Sequence, residues 1–243
     1  LIRLKCLNLS HNELTSLDKG LFDSQKKLET LDLSFNKINS IPIKMFHSLR
    51  TLIKLNLNNN NISLLHALLF DRLEKLEHLS LHHNKICSFG VSSLHLNSLK
   101  SLELSFNHFV TLTKEMFSKV PRLASLFFMS NNITVLESGA FDLLGDLELL
   151  HLDANRLLDI PRGLFSQLKN LRTLSLKYNL LEIIEPHILN GLKHILQLDV
   201  SHNNITSFNL AQTEQSKLQN LNVKNNFIKT IGVDAFKNLT ELK

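Results

Sequence analysis

The chain has 243 residues, of which 43% are hydrophobic and 20% charged, and its formal net charge is +5. This composition is that of a folded protein and excludes an intrinsically disordered chain. Polar residues interrupt every long apolar run, so we predict no transmembrane helix and no signal peptide, and the dispersed positive charge is a weak argument for nucleic-acid binding.

A pattern of leucine and asparagine recurs along the whole chain. The string Leu-x-x-Leu-x-Leu-x-x-Asn-x-Leu occupies residues 4–14 and returns, with Ile as its last residue, at 28–38 and 52–62. The repeats begin near residues 4, 28, 52, 76, 99, 123, 147, 171, 195 and 218, so they are 24 or 23 residues long. The ninth position is Asn in all ten repeats: Asn12, Asn36, Asn60, Asn84, Asn107, Asn131, Asn155, Asn179, Asn203 and Asn226. This register predicts a single solenoid domain spanning residues 1–243.

Each position of the repeat has a physical interpretation. Leu-x-Leu places two leucines on one face of a short strand, and stacked repeats then form a parallel sheet over an aliphatic core. The Asn is expected to turn the chain and to satisfy backbone groups that would otherwise be buried without a partner. A large flat ring ten residues later is expected to fill the back of the coil. Seven repeats carry this ring: Phe22, Phe46, Phe70, Phe117, Phe141, Phe165 and Phe236.

The two 23-residue units depart from this pattern. Leu94 and Thr213 stand where Phe is expected, and Phe89 and Phe208 come earlier in the same units. We expect the earlier Phe to fill the shortened back of each coil.

The two cysteines, Cys6 and Cys87, are too few for a disulfide framework. The register places them three strand spacings apart, roughly 14 Å, which is beyond disulfide reach. We expect Cys87 to be a buried apolar residue at the back of its repeat. Cys6 either stays free or pairs with a cysteine outside this chain.

In register and unit length the chain resembles the leucine-rich-repeat family, specifically the 24-residue type of extracellular receptors and matrix proteins. The resemblance implies an α/β leucine-rich-repeat solenoid: a curved horseshoe with short parallel strands on its concave face and irregular or short helical turns on its convex side. Terminal repeats need polar caps. Neither end of the sequence has one, so we expect an uncapped fragment of a longer protein.

The outward strand positions predict where a ligand would bind. Most of these positions are small and polar, but Phe106, Phe127 and Met129 come from adjacent repeats and should lie side by side. Exposed aromatic residues with a polar rim are typical of protein-interaction hot spots. The predicted binding residues are these three together with their polar neighbours: His82, His83, His151, Asp153, Lys177 and Tyr178. Lateral and convex surfaces remain alternatives.

Asn-x-Ser/Thr acceptors for N-glycosylation occur at Asn8, Asn61, Asn132, Asn204 and Asn238. Three of them, at positions 61, 132 and 204, directly follow the recurring Asn, where a side chain projects from the flank. Asn8 is expected to point into the concave side, where a glycan would obstruct a ligand.

The 12 histidines suggest a metal or catalytic site, but their spacing argues against both. His78 and His82 are about 13 Å apart along one strand face, too far for one ion. His151 and Asp153 form the best pair, without an obvious third ligand. No nucleophile elbow or Gly-rich phosphate loop is found. We therefore predict no enzyme, no catalytic residues, no metal and no cofactor. Histidine protonation near about pH 5–6 suggests acid-dependent ligand capture instead.

The leading hypothesis is a fragment of a receptor ectodomain, resembling Toll and Toll-like receptors of innate immunity or development. Such a fragment lies outside the plasma membrane without touching it, binds a protein or microbial ligand, and dimerises through its flank. The alternative is a secreted or surface-anchored adhesion or matrix protein without a signalling domain. A nucleic-acid sensor is disfavoured, because acidic residues interrupt the concave face: Asp32, Glu103, Asp153 and Asp199.

Overall fold

The computed structural model describes residues 2–89, 95–211 and 217–243, and the chain divides into two compact units. The first unit comprises residues 1–109 with 115–123, and the second comprises 110–114 with 124–243. In each unit the chain winds through successive coils, and every coil contributes one short strand to a parallel sheet. Helix within the described ranges is confined to 3₁₀ turns of three or four residues: Ala67–Leu69, Lys114–Phe117 and Pro186–Leu189. None of these described helices has the length or the apolar character to cross a bilayer.

The sheet of the first unit has five strands, and strands from successive coils of this unit pair with one another. These strands are β1 (Cys6–Asn8), β2 (Thr30–Asp32), β3 (Lys54–Asn56), β4 (His78–Ser80) and β5 (Ser101–Glu103). The register is parallel and places the central leucines of neighbouring strands opposite one another, as Leu31 lies opposite Leu55. Residues at the same position of successive repeats therefore lie opposite one another in the sheet.

The second unit has the same arrangement, with extra two-residue strands in some coils. In chain order its strands are β6 (Thr111–Leu112), β7 (Ser125–Phe127), β8 (Val135–Leu136), β9 (Leu149–His151), β10 (Thr173–Ser175), β11 (Ile183–Ile184), β12 (Gln197–Asp199), β13 (Ser207–Phe208) and β14 (Asn220–Asn222). Strands β7, β9, β10, β12 and β14 form the main sheet, whereas β6 pairs with β8 and β11 with β13. The predicted fold class, a parallel-strand leucine-rich-repeat solenoid, is confirmed.

The aliphatic core lies where the repeat predicts it. Leu31 and Leu55 are at most 1% exposed, and burial of such a side chain contributes about 1.5–3 kcal/mol. Six of the seven predicted back rings are at most 2% exposed, whereas Phe236 is 38% exposed, so the prediction that it fills the back of its coil was wrong. Phe46 lies between Phe22 and Phe70, with ring centroids 6.2 and 6.4 Å away. One aromatic ring per coil therefore forms a stack, the Phe column, along the back of the first three coils.

The recurring Asn links each coil to the one before it. The Asn60 Nδ2 atom donates to the carbonyl oxygens of Leu57 and Asn58 in its own coil and of Leu33 in the preceding coil, at 3.0–3.1 Å. Its Oδ1 atom accepts from the backbone N–H of Ile38, at 3.0 Å. The same pattern recurs at positions 36, 84, 107, 155, 179, 203 and 226. The predicted role of Asn in the turn is confirmed.

The residue before each recurring Asn adopts a left-handed backbone conformation, with φ between 51° and 56°. We call these ten residues the left-handed column: His11, Phe35, Asn59, His83, Phe106, Ser130, Ala154, Tyr178, His202 and Asn225. Residues other than Gly disfavour this conformation, because it brings the Cβ atom too close to the following carbonyl oxygen. It is held in place because backbone bonds to the next coil flank it, as when the Phe35 N–H donates to the Asn58 carbonyl at 3.0 Å.

The prediction that Cys87 is buried was wrong. Cys87 is exposed, and so is Cys6; both thiols are free. The register explains the error, because Cys87 follows the buried Ile86 at a position that holds exposed Asn39 and Ser63 in the two preceding coils.

The two shortened coils are described only in part. Phe89 and Phe208 are 3% and 4% exposed, as expected for rings that fill these coils, and Phe89 lies 5.3 Å from the ring of Phe109. Leu94 and Thr213 lie outside the described residues.

Candidate ligand-binding face

The candidate site in each unit is the open face: the outward side chains of the main sheet together with the left-handed column. In the first unit this face brings together His82, His83 and Phe106. The rings of His83 and Phe106 stack with their centroids 4.0 Å apart, and Phe106 is 45% exposed. The Nδ1 atoms of His82 and His83 are 2.8 Å apart, so one must donate to the other.

The acidity of His82 is set by its surroundings. Burial lowers the pKa of His82 below its ordinary value, because desolvation disfavours the charged ring. The Glu103 carboxylate, 3.8 Å from His82 Nε2, opposes this effect, and the nearby His83 reinforces it. His82 is therefore neutral near pH 7, and it becomes charged at a lower pH than an ordinary histidine.

In the second unit the open face is organised around Asp153. The His151 Nδ1 atom lies 2.9 Å from Asp153 Oδ2, while the Ser175 hydroxyl and the Lys177 backbone N–H both donate to Asp153 Oδ1. Asp153 is only 6% exposed, less than its predicted outward position implies, because these donors enclose it. The carboxylate thus fixes its neighbours and is not itself presented to a ligand.

Ser175, His151 and Asp153 are the residue types of a catalytic triad, so their arrangement matters. A nucleophilic Ser needs a base such as His within hydrogen-bonding reach, with the carboxylate behind the His. Here the carboxylate of Asp153 lies between Ser175 and His151, so Ser175 donates to a weak base and His151 does not activate it. Within the described ranges, no three His, Cys, Asp or Glu side chains converge as metal ligands. The order of Ser175, Asp153 and His151 thus differs from that of a Ser-His-Asp triad.

Tyr178 is the most prominent ring on the open face of the second unit. It is 49% exposed, and its ring centroid lies 4.1 Å from that of His202 in the next coil. The Lys177 ammonium group lies 4.8 Å from the Tyr178 ring centroid, within range of a cation–π contact. Asn225 Nδ2 lies 3.0 Å from His202 Nε2. Tyr178, His202 and Asn225 thus contact one another in turn across three successive coils.

Two further predicted residues of this unit are half-buried. The Phe127 ring lies 5.5 Å from that of His151, and Met129 is half-buried. Phe106 belongs to the first unit and Phe127 to the second, so their predicted placement side by side stays a prediction.

One stacked pair of the first unit was not predicted from the sequence. His11 and Phe35 stack with ring centroids 4.3 Å apart and an interplanar angle of 9°, and Phe35 is 46% exposed. Like His83 with Phe106 and Tyr178 with His202, this pair comes from the left-handed column. The signal was therefore present in the sequence as an aromatic residue or His directly before the recurring Asn.

A depression of about 420 Å³ lies on the main sheet of the second unit. Its lining includes His151, Ser175, Asp199 and Asn222, one from each of four successive strands. Asn222 Nδ2 donates to Asp199 Oδ2 at 2.9 Å. The depression offers hydrogen-bonding groups on the open face, which suit a protein ligand.

The glycosylation candidates differ in exposure. Asn61, Asn132 and Asn204 are exposed. Asn8 is exposed as well, and its Oδ1 accepts from the Ser10 backbone N–H at 2.8 Å. Asn238 is half-buried, and its Nδ2 donates to the Ala211 carbonyl at 3.0 Å.

The fold is shared with solved leucine-rich-repeat proteins. A chain of the TLR13–ssRNA13 complex is 24% identical, with a TM-score of 0.76 over 100% of this chain and 43% of that one. A chain of the Toll–Spätzle complex of Drosophila is 26% identical, with a TM-score of 0.78 over 93% and 36%. A chain of the octameric complex of Latrophilin 3, Unc5D and the leucine-rich-repeat part of FLRT2 is 27% identical, with a TM-score of 0.79 over 100% and 74%. This chain thus spans less than half the length of its Toll and TLR13 matches.

The family assignment comes from the repeats themselves. No curated protein matches the chain. The family model described as leucine rich repeat matches residues 1–38, 26–86, 97–157 and 145–205, which is well over half of the sequence. Together with the leucine core and the Asn links between coils, this match shows that the chain belongs to the leucine-rich-repeat family.

Proposed function

We propose that the chain is an extracellular macromolecule-binding module, part of the ectodomain of a Toll-like receptor of innate immunity or development. The observation that carries this proposal is the exposed stacking on the open faces. Phe106 and Tyr178 are nearly half exposed although each is packed against a His ring. Large rings held rigidly at the surface gain binding energy at a low cost in conformational entropy.

A protein or microbial ligand fits this surface better than a small molecule. In each unit the stacked rings come from neighbouring coils of a sheet whose strands are fixed by backbone bonds, so each unit offers a rigid surface. The depression on the main sheet of the second unit is open, with polar and apolar groups in equal measure, unlike the enclosed, mostly apolar site typical of small molecules. The Drosophila Toll chain, which has the same fold, is in complex with Spätzle. We propose dimerisation through the flank and no membrane contact within this part of the protein.

The alternative function is a secreted or surface-anchored adhesion or matrix protein without a signalling domain. The similarity to the complex that contains FLRT2, Latrophilin 3 and Unc5D favours it, because that similarity extends over 74% of the matched chain, against 43% for TLR13 and 36% for the Toll complex. The two functions predict different partners: a soluble ligand for the receptor, and another surface-anchored ectodomain for the adhesion protein.

A nucleic-acid ligand is less compatible with the open face. The similar TLR13 chain is in complex with single-stranded RNA, but at 24% identity that likeness concerns the fold. Acidic side chains recur on this face, among them Asp32 and Asp199, whose carboxylates accept bonds from Ser34 and Ser201. Their charge repels a phosphate backbone.

The test is a binding screen of the secreted, glycosylated chain against an array of purified ectodomains and soluble ligands. The double variant Phe106→Ser/Tyr178→Ser removes one ring from each open face. Its matched control, Leu64→Ser/Ile183→Ser, removes two apolar side chains that are 65% and 56% exposed elsewhere. We expect partners to be lost by the first variant and kept by the second. Retention of every partner by the first variant would refute the open face as the binding surface.

A further inference from the structure

One turn in the first unit has an unexpected residue. Lys44 adopts a left-handed conformation with φ 66°, although it is outside the left-handed column. Three other coils make the same turn with Gly20, Gly139 and Gly163, at φ 81°, 79° and 75°. In each case the carbonyl of this residue accepts from the N–H three residues later, as His47 donates to Lys44 at 3.0 Å.

The comparison among coils indicates that Lys44 is strained. Glycine adopts this conformation without steric cost, whereas a side chain with a Cβ does not. The fold therefore has a relaxed solution for this turn, which it uses at Gly20, Gly139 and Gly163 but not at Lys44. Because Gly would remove the strain at this position, the presence of Lys44 there points to a function for its side chain.

Lys44 lies at a depression of about 510 Å³ on the turns of the first two coils. Lys19 and Lys26 also line it, and all three lysines are exposed. None of them takes part in an ion pair within the described ranges. Asp23, the only acidic residue described in the lining, accepts a long bond from the Ser48 hydroxyl at 3.4 Å. Three lysines thus face one carboxylate in the described lining, so the depression has a net positive charge.

We propose that this depression binds the sulfate groups of a linear sulfated polysaccharide. Lysine ammonium groups act as point charges that suit tetrahedral oxyanions. The neighbouring turns carry further exposed cations, which outnumber the exposed Glu74 among them: Lys27, Arg50, Arg72 and Lys75. The described lining contains no aromatic ring besides His47, and single-stranded nucleic acids bind largely by stacking on such rings. The site is separate from the open face, and it shares only the extracellular location with the proposed function.

The test is calorimetric titration of the whole chain with a heparin-derived oligosaccharide of defined length. Lys44→Gly restores the residue that the sister turns use, so it should leave the melting temperature unchanged or slightly higher. It should weaken binding roughly tenfold, because it removes a charge-assisted contact. Lys19→Ala/Lys26→Ala should weaken binding at least as much. Lys85→Ala, which removes an exposed charge of the same unit away from the depression, is the control and should bind as the unchanged chain does.

The outcomes separate this proposal from its competitors. Unchanged affinity in Lys44→Gly would mean that the lysine has no role in binding and would overturn the proposal. Equal affinity for a desulfated oligosaccharide would overturn it as well. Ile43, next to Lys44, is 51% exposed, so an anionic membrane is the competing ligand. Binding to phosphatidylserine vesicles without binding to the oligosaccharide would assign the depression to a membrane instead.

Discussion

Phe106 stacks on His83 of the preceding coil with ring centroids 4.0 Å apart and an interplanar angle of 16°. Phe46, in the same unit, stacks between two other phenylalanines, but it is completely buried. The same residue type thus forms similar stacks in two environments. Because burial decides how much a ring contributes to folding, the two should respond very differently to truncation.

Phe46→Ala should destabilise the chain by about 3–5 kcal/mol, because it leaves a cavity in the Phe column. Phe106→Ala should change the free energy of unfolding by less than about 1 kcal/mol, because Phe106 is at the surface. Urea denaturation followed by circular dichroism measures both values. Equal losses would show that the exposed stack is part of the core.

Asn60→Ala should lower the free energy of unfolding by at least about 1–3 kcal/mol, because it leaves the buried Ile38 N–H without its acceptor. The matched control is the neighbouring Asn61→Ala, an exposed position that should change stability by less than about 0.5 kcal/mol. Both variants are best compared in unglycosylated protein by denaturant titration. A mild effect at Asn60 would mean that water replaces the Asn side chain.

His82 should make the chain less stable in mild acid. Folding lowers its pKa below 6.5, so the unfolded chain binds the proton more readily. The stability that neutral His82 contributes is present above pH 6.5 and is lost as the pH falls from 6.5 towards the pKa of the folded state. His82→Gln should therefore lose less stability than the unchanged chain between pH 7.4 and pH 5.5, in denaturant titrations at the two pH values. Glu103 and His83 remain in both proteins, and parallel losses would contradict this role of His82.

Glycan occupancy should follow side-chain exposure. When the chain is secreted from animal cells, we expect Asn61, Asn132 and Asn204 to be modified more fully than Asn238, whose Nδ2 already donates to Ala211. Mass spectrometry of the tryptic glycopeptides measures occupancy at each site. Full occupancy at Asn238 would show that its hydrogen bond forms only after modification, or not at all.

The sequence predicted the parts of the fold in which one position has one physical role. Leu31 faces the core because a period of two leaves it no alternative, and Asn60 closes the turn because its amide can both donate and accept. Cys87 was placed wrongly because its apolar character was weighed above its register, which had exposed residues at 39 and 63.

The open face was predictable in position but not in detail. The burial of Asp153 depends on Ser175 and Lys177 of the next coil, and a single repeat does not reveal such donors. The pairing of Tyr178 with His202 depends on a backbone conformation that side chains ordinarily avoid. Both features arise from contacts between coils, whereas the sequence pattern describes each coil alone.

The left-handed column has a consequence for how this protein could acquire new partners. Phe, Tyr, His, Ser, Ala and Asn all occupy it, with φ values that differ by only 5°. The backbone at these ten positions thus keeps one conformation with six different residue types. Since the leucines and the recurring asparagines maintain the fold independently, specificity can change by single substitutions there, as it does in antibody loops on a constant framework. A library varied at these ten positions should yield many folded binders, each with a different ligand.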